Sequence, residues 1–493
     1  MRCAAVIAAI LVASAWAVGQ ATGSGPVEDE QISVAANAQP IGGFLGLGVE
    51  FDPYEKAPDP TRWNTMMDRL AWMRPGFLRV MSGASDYCSG LDSNGNPIYR
   101  WKTDPNAPEL QRLYSVLDFA QQHGVQVYLG EWSPPGNLGI HSPGDPRWAR
   151  MIAGFVDYLV REKHYTVVNH YIMMNEPNGQ WMWHHGPPDF AAWSTGVRQL
   201  RKELDSRGLQ QIILTGPDNS GDRAWFDRSV RELHSYFGAW EQHIYASDEE
   251  VSSGAIERGL IEDGKTILQD DPNGALKPRF IAESGLRTGK NNELDQQPRV
   301  HDFDYGVRMA DYVAQVARAG WMGADAWDLD DAMHGNGHGG LKIWGFWDSS
   351  TAEGMKPRPW FYSWALLSRY LPSGAQIVRV DESGKGTVKA VAARWLSKRG
   401  LEWTIVLVND SDSAAVVDVK LPEVSNLATY RYFDHEQLAD TKGFPQPVKM
   451  QQHPDRKQVI SLPSMGMVVL TTASGDEFPA PEAGRGHKTN AGE

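Results

Sequence analysis

Between Ile41 and about Leu371 the chain alternates short apolar runs with amphipathic stretches of helical length, and this rhythm limits its possible folds more than any other feature. The pattern predicts strands at Phe44–Val49, Phe77–Met81, Gln126–Gly130, Val168–Met174, Ile212–Thr215, His243–Tyr245, Arg279–Ala282 and Ala324–Trp327. Each is bounded by polar or glycine-containing turns, as strands buried on both faces should be. The clearest predicted helices are Pro60–Met73, Pro108–His123, Pro146–Glu162, Pro188–Ser206 and Asp304–Ala319, several opening on Pro or an acidic residue. Eight strands with intervening helices in one run predict a (β/α)8 barrel over residues 41–371. A doubly wound sheet is the competing architecture. It needs a glycine-rich phosphate loop after its first strand, and the glycines of IGGFLGLGVEF precede or interrupt that strand instead.

Beyond Tyr370-Leu371-Pro372 the texture becomes β-rich. Runs at Gly386–Trp395, Trp403–Asn409, Ala415–Leu421, Thr429–Phe433 and Met465–Thr471, separated by Asn, Asp, Gly and Pro turns, predict an antiparallel β-sandwich over residues 372–473. Residues 474–493 are rich in Gly, Pro and charge and are expected to be disordered; residues 22–40 read as a flexible segment. Residues 1–21 carry one early charge at Arg2, then an apolar run and small residues, the pattern of a secretory signal peptide. The run is short against the about 20 residues of a bilayer span, so a secreted or periplasmic protein with no membrane association is expected. Cys3 lies in that segment, which leaves Cys88 alone and excludes an intramolecular disulfide framework. A net charge of −14 argues against a nucleic-acid partner, whose phosphates need a basic footprint. The 19 Trp and 16 Tyr suit sugar binding by ring stacking, although any single one is more often core.

Two carboxylates stand out. In His170-Tyr171-Ile172-Met173-Met174-Asn175-Glu176-Pro177 an apolar strand runs straight into Asn-Glu-Pro, and in Phe280-Ile281-Ala282-Glu283 another ends on Glu. In a (β/α)8 barrel, strand ends carry the chemistry. Asn-Glu-Pro ending the fourth strand and a lone Glu ending the seventh resemble the signature of the clan A glycoside hydrolases. Arg79 on the second strand, His243 and Tyr245 on the sixth and Trp327 closing the eighth follow in the same order. The likeness covers roughly Ile41 to Leu371. It implies that Glu176 is the acid/base and Glu283 the nucleophile of a retaining mechanism. It also implies that Arg79 and Tyr245 bond the nucleophile, Asn175 the substrate 2-hydroxyl, and that Trp327 floors the subsite of the cleaved sugar.

Such chemistry needs two carboxyls because cleavage passes through an oxocarbenium-like transition state. One protonates the leaving oxygen while the other attacks the anomeric carbon, and retaining pairs stand about 5 Å apart. Arg79 and the Tyr245 hydroxyl would keep Glu283 ionised, and the charge on Glu283 would keep Glu176 protonated at the start.

Weaker signals surround this pair. Trp181 and Trp183 in the loop after the fourth strand would line a leaving-group subsite, with a self-packed aromatic loop as the alternative. Trp132 at the end of the third strand reads as a sugar platform, and the neighbouring Glu131 as a mouth residue that bonds hydroxyls or fixes a side chain. Glu50, Asp52 and Tyr54 are either sugar ligands or structural. In His334-Gly-Asn-Gly-His338-Gly-Gly two histidines lack further zinc ligands, so a mobile lid is expected rather than a metal site. Alternation should scatter the acids at Asp325, Asp328, Asp330 and Asp331, so no calcium site is expected. No cofactor is implied. The leading expectation is an endo-acting enzyme on a β-linked glucan or related polysaccharide. An exo-acting β-glycosidase on oligosaccharides is the near alternative, and a non-catalytic carbohydrate-binding barrel the alternative of another class. No motif sets the sugar, the linkage or the oligomeric state.

Overall fold

A computed structural model of the protein describes residues 28–183, 185–351, 355–383, 386–422, 427–434, 439–440, 442–448 and 457–473. The expected signal segment, His184 and the expected disordered tail lie outside the described residues. Eight parallel strands close a barrel: β1 Gly46–Glu50, β2 Phe77–Ser82, β3 Gln126–Glu131, β4 Val168–Ile172, β5 Ile213–Ser220, β6 Phe237–Ala246, β7 Arg279–Leu286 and β8 Gly323–Ala326. Each is followed by a helix: α1 Pro60–Met73, α2 Pro108–His123, α3 Pro146–Asp157, α4 Phe190–Ser206, α5 Arg223–Leu233, α6 Ala255–Asp270, α7 Phe303–Arg318 and α8 Pro359–Tyr370.

The helix starts follow from cap chemistry. Asp59, Asp145 and Asp189 each accept hydrogen bonds from the first free backbone N–H groups, at α1, α3 and α4. Asp189 is therefore the cap of α4, and Pro188 stands outside the helix rather than opening it. Residues Tyr158–Glu162, expected to finish α3, form a π-helical turn instead. Among the described residues no helix is long and apolar enough to cross a membrane.

Inside the barrel, Phe77, Met81, Tyr128, Ile172, Ala239, Phe280 and Ala282 form the packed interior. Leu78 and Val80 belong instead to the core shared with the surrounding helices. With a side-chain period of two, Arg79 joins the inward row of β2 between Phe77 and Met81. On β7 the same rule would turn Glu283 outward, because Phe280 and Ala282 already face in. The register skips one residue there, with Gln242 opposite Ile281 but His243 opposite Glu283. A bulge of this kind re-aims the next side chain, and it brings Glu283 to the mouth.

The β-sandwich has a six-stranded sheet in the order 428–432, 466–471, 400–409, 388–397, 376–378, 40–43, and a four-stranded sheet in the order 381–383, 28–33, 415–420, 457–462. Ala390 and Ala392 face the sandwich core, whereas Val391, Ala393 and Trp395 on the same strand pack toward the barrel helices. Trp395 and Trp403 are both buried, so neither offers a sugar platform on this unit. One expectation is corrected. Of the segment 22–40, taken as flexible, Glu28–Ser33 forms a strand of the four-stranded sheet, and Pro40 opens the strand Pro40–Gly43 of the six-stranded one, whose other residues were expected to belong to the barrel. Glu28–Ser33 pairs in parallel with Ala415–Lys420 and antiparallel with Asp381–Ser383. Ile32 enters the sandwich core, and the buried Glu30 accepts a bond of 2.8 Å from Thr387 N–H. The polar outward positions of this strand hid its period, and its partners lie hundreds of residues away.

Candidate active site

Arg79 organises the barrel mouth. Fully buried, its guanidinium donates to Glu50 Oε2 at 2.8 Å, Glu283 Oε1 at 2.9 Å, Asn175 Oδ1 at 2.6 Å and Asp218 Oδ2 at 2.9 Å. Such forks hold several carboxylates in fixed geometry, which a lysine could not do. Tyr245 Oη donates to the other oxygen of Glu283 at 2.6 Å, so the expected partners of this carboxylate are both in place. His243, two residues before Tyr245 and on the same face of β6, is also fully buried. Its Nδ1 lies 3.1 Å from Glu176 Oε1 and 3.5 Å from Glu283 Oε2, and its Nε2 lies 3.0 Å from Asp218 Oδ1.

Glu176 and Glu283 come together across the barrel. An oxygen of each, with a ring nitrogen of His243, falls within 4.8 Å of the others. That spacing matches the about 5–5.5 Å of a nucleophile and acid/base pair and falls below the about 6.5–9.5 Å that leaves room for an intervening water. Glu176 has φ of 39° and Asp218 φ of 56°. A non-glycine residue in the left-handed region is costly, by about 1 kcal/mol or more, and such positions concentrate at functional sites. For Glu176 the strain is compounded by Pro177, which restricts the residue before it.

Electrostatics sort these acids. Burial pushes the carboxyls of Glu50, Glu241 and Asp325 well above the usual carboxylate range, and that of Asp52 up to about 7. Asp218 goes the other way: burial opposes its charge, but Arg79 and His243 outweigh it and hold the carboxyl far below its ordinary value. Glu176 also departs from expectation. Burial favours its neutral form, yet the bonds from His243 and Trp181 bring it below the usual range. For His243 burial favours the neutral ring, and the charges of Glu283 and Asp218 raise it well above an ordinary imidazole. The imidazole ring contacting both glutamates, rather than direct repulsion between them, is thus the leading cause that works against burial at Glu176.

The remaining predicted residues fall as follows. Trp181 is 63% exposed and donates from Nε1 to Glu176 Oε2 at 2.5 Å, which places it against the acid itself. Trp183 donates to Pro177 O at 2.8 Å. Trp132 stands edge-on to Trp327 at 6.2 Å and to His334 at 5.7 Å. Trp327 is only 4% exposed, because His334 stacks on it with centroids 5.1 Å apart. The glycine-rich loop after β8 therefore covers the ring expected to floor the subsite.

Four residues are placed differently from the sugar-contact alternative. Glu50 is enclosed beneath Arg79, and Tyr54 is buried with its hydroxyl on Asp330 at 3.0 Å. Asp52 is buried too, accepting from Met81 N–H. Glu131 does not face the mouth; it accepts from Tyr87 Oη at 2.6 Å and Tyr171 Oη at 3.0 Å, and burial raises it to about 8. Of the acids near β8, Asp331 pairs with Arg358, and Asp330 accepts from Tyr54 and from the backbone of Ala332 and Ser349.

Asp218 was not anticipated. The strand ahead of Gly216-Pro217-Asp218-Asn219 was expected to stop at Thr215, whereas β5 continues to Ser220. A carboxylate at a strand end, the signal that singled out Glu176, was present there too. Glu176, His243 and Glu283, and likewise Asp218, Glu241 and His243, converge closely enough to hold an ion. The donor sets fit a cation poorly, because the Arg79 guanidinium already lies 2.9 Å from a carboxylate of each group.

A closed eight-stranded parallel barrel joined to a β-sandwich is an architecture found among glycoside hydrolases. Neither a protein-family model nor a curated protein matches the sequence. Solved structures do match the fold. A family 51 α-L-arabinofuranosidase from Bifidobacterium longum is similar with a TM-score of 0.63 at 12% identity, covering 90% of this chain and 99% of that one. A monomeric β-xylosidase from Caulobacter crescentus gives 0.62 at 14%, with the same coverage. A glycoside hydrolase family 30 subfamily 8 xylanase from Clostridium acetobutylicum gives 0.59 at 16%, again covering 90% and 99%. At these identities the likeness shows a shared fold, barrel and sandwich together.

Proposed function

We propose that this protein is an exported, retaining β-glycoside hydrolase, endo-acting on a β-linked glucan or a related polysaccharide. The observation that carries the reading is the approach of Glu176 and Glu283 to within 4.8 Å, with Arg79 and Tyr245 both bonded to Glu283. Glu283 attacks the anomeric carbon as Glu176 gives a proton to the departing oxygen, leaving a covalent glycosyl-enzyme. Water then attacks the same carbon, loses a proton to Glu176 and frees Glu283. Arg79 and Tyr245 donate to the nucleophile throughout, and the buried setting strengthens both bonds.

Endo action is supported by two cavities of about 560 and 730 Å³ that run past the loops after β2, β3 and β4 and share His141 and His185. The first reaches Trp132, and the second reaches Trp183 beside the acid. The exo alternative draws on a smaller cavity of about 200 Å³ that also touches Trp132, lined by Glu55, Ser82, Glu109 and His334. The test is a panel of β-linked polysaccharides, with viscosity and reducing ends followed together. Early loss of viscosity with mixed oligosaccharide products is expected. Monosaccharide as the sole early product supports exo action, and binding without release from any polysaccharide or oligosaccharide supports a non-catalytic barrel.

A further inference from the structure

His243 is fully buried with Nδ1 3.1 Å from Glu176 Oε1 and Nε2 3.0 Å from Asp218 Oδ1. A carboxylate can only accept, and a neutral imidazole has one N–H. A neutral ring between two carboxylates would leave a lone pair facing an anionic oxygen, away from water, which is strongly unfavourable. One added proton removes the clash wherever it sits, on Nδ1 beside a carboxylate or on Glu176 Oε1 donating to Nδ1. It does not belong on Asp218, whose other oxygen accepts from Arg79 at 2.9 Å and from the Glu176 backbone N–H at 3.4 Å.

We propose that Glu176 and His243 hold this one proton between them, and that Asp218 is the positioning residue that keeps it on the pair. Its delivery to the glycosidic oxygen rests on the function proposed above; its location does not. The charges facing His243 come from four other strands around the barrel. Arg79 on β2, 3.4 Å from Nε2, opposes the proton, whereas Glu176 after β4, Asp218 on β5 and Glu283 on β7 favour it. Glu241 on β6 is held neutral by burial and adds little, and Tyr245 is engaged with Glu283. In the first step the C–O bond breaks, the departing oxygen takes the pair's proton and Glu283 bonds to the anomeric carbon. The pair is left as a carboxylate and a neutral ring. In the second step the attacking water returns a proton to the pair as its oxygen replaces Glu283.

Removing the charge of Asp218 weakens the hold, so the proton leaves at lower pH. In Asp218→Asn the basic limb of the kcat/KM profile on a phenyl glycoside should move down by about one pH unit or more. On a dinitrophenyl glycoside, whose leaving group needs no proton, kcat/KM should show no limb from this pair in either protein. A merely structural defect would lower both substrates without moving the phenyl limb, and an unmoved phenyl limb overturns the proposal. Nitrogen NMR of the imidazoles tests the unaltered protein without substrate, with His243 identified by loss of its signals in His243→Gln. One titration above the ordinary value of about 6.5, with Nε2 protonated throughout, is expected. Titration of His243 at that ordinary value overturns the proposal even if no glycoside is ever hydrolysed.

Discussion

Glu283→Ala is expected to abolish turnover of every substrate, with kcat/KM falling on the order of 10⁵-fold, the scale on which loss of a nucleophile disables a catalytic unit. That is about 7 kcal/mol of transition-state stabilisation. The effect should be chemical rather than structural. Arg79 keeps its bonds to Glu50, Asn175 and Asp218 when Glu283 is removed, so the guanidinium is not stranded without partners. Circular dichroism and a thermal melt should report a folded protein. Full cleavage by a folded Glu283→Ala variant would remove this residue from the mechanism.

Glu176→Ala is expected to divide substrates by their leaving groups. General acid catalysis contributes about 10²–10⁴-fold, and that loss should appear on natural linkages and phenyl glycosides. A dinitrophenolate departs without help, so the first step on that substrate should be nearly spared and the second step, which needs a base for water, should become limiting. Burst kinetics of dinitrophenol release would show this directly. Equal loss on both substrates would contradict the acid/base role. Trp181 bears on the same test, because its indole N–H occupies Glu176 Oε2 in the free protein, the oxygen opposite the one that meets His243.

The parts of this site that could be read from the chain are those carried by local pattern. Apolar runs leading into Glu176 and Glu283 marked two strands because buried parallel strands are short and continuous, although β4 stops at Ile172 and β7 runs on past Glu283 to Leu286. Arg79, His243 and Tyr245 stood in the expected order, and the structure gathers all of them around the two glutamates. Long-range effects were not readable. The bulge that turns Glu283 inward depends on the register of β6 against β7, and strict alternation would have pointed the side chain the wrong way. Asp218 belongs to a strand that runs past its apolar stretch, supported by β6 rather than by its own hydrophobicity.

Charge was harder still. A Glu at a strand end can be a buried partner of tyrosines, as Glu131 is, or a brace beneath Arg79, as Glu50 is, and only the neighbours across the barrel separate these from Glu176. The strand Glu28–Ser33 was hidden for a similar reason. Its alternation is Ile32 and Val34 against Gln31 and Ser33, too short a pattern to announce itself without the partner at Ala415–Lys420.

In the proposed reaction two side chains meet at one sugar carbon, closely enough that water cannot stand between them. Proton NMR of a cleavage reaction, recorded before the released sugar mutarotates, reads the configuration of the anomer formed first. The spacing of Glu176 and Glu283 predicts the β-anomer, the product of two displacements. Appearance of the α-anomer first would mean a single displacement by water, and would contradict the roles assigned to both glutamates.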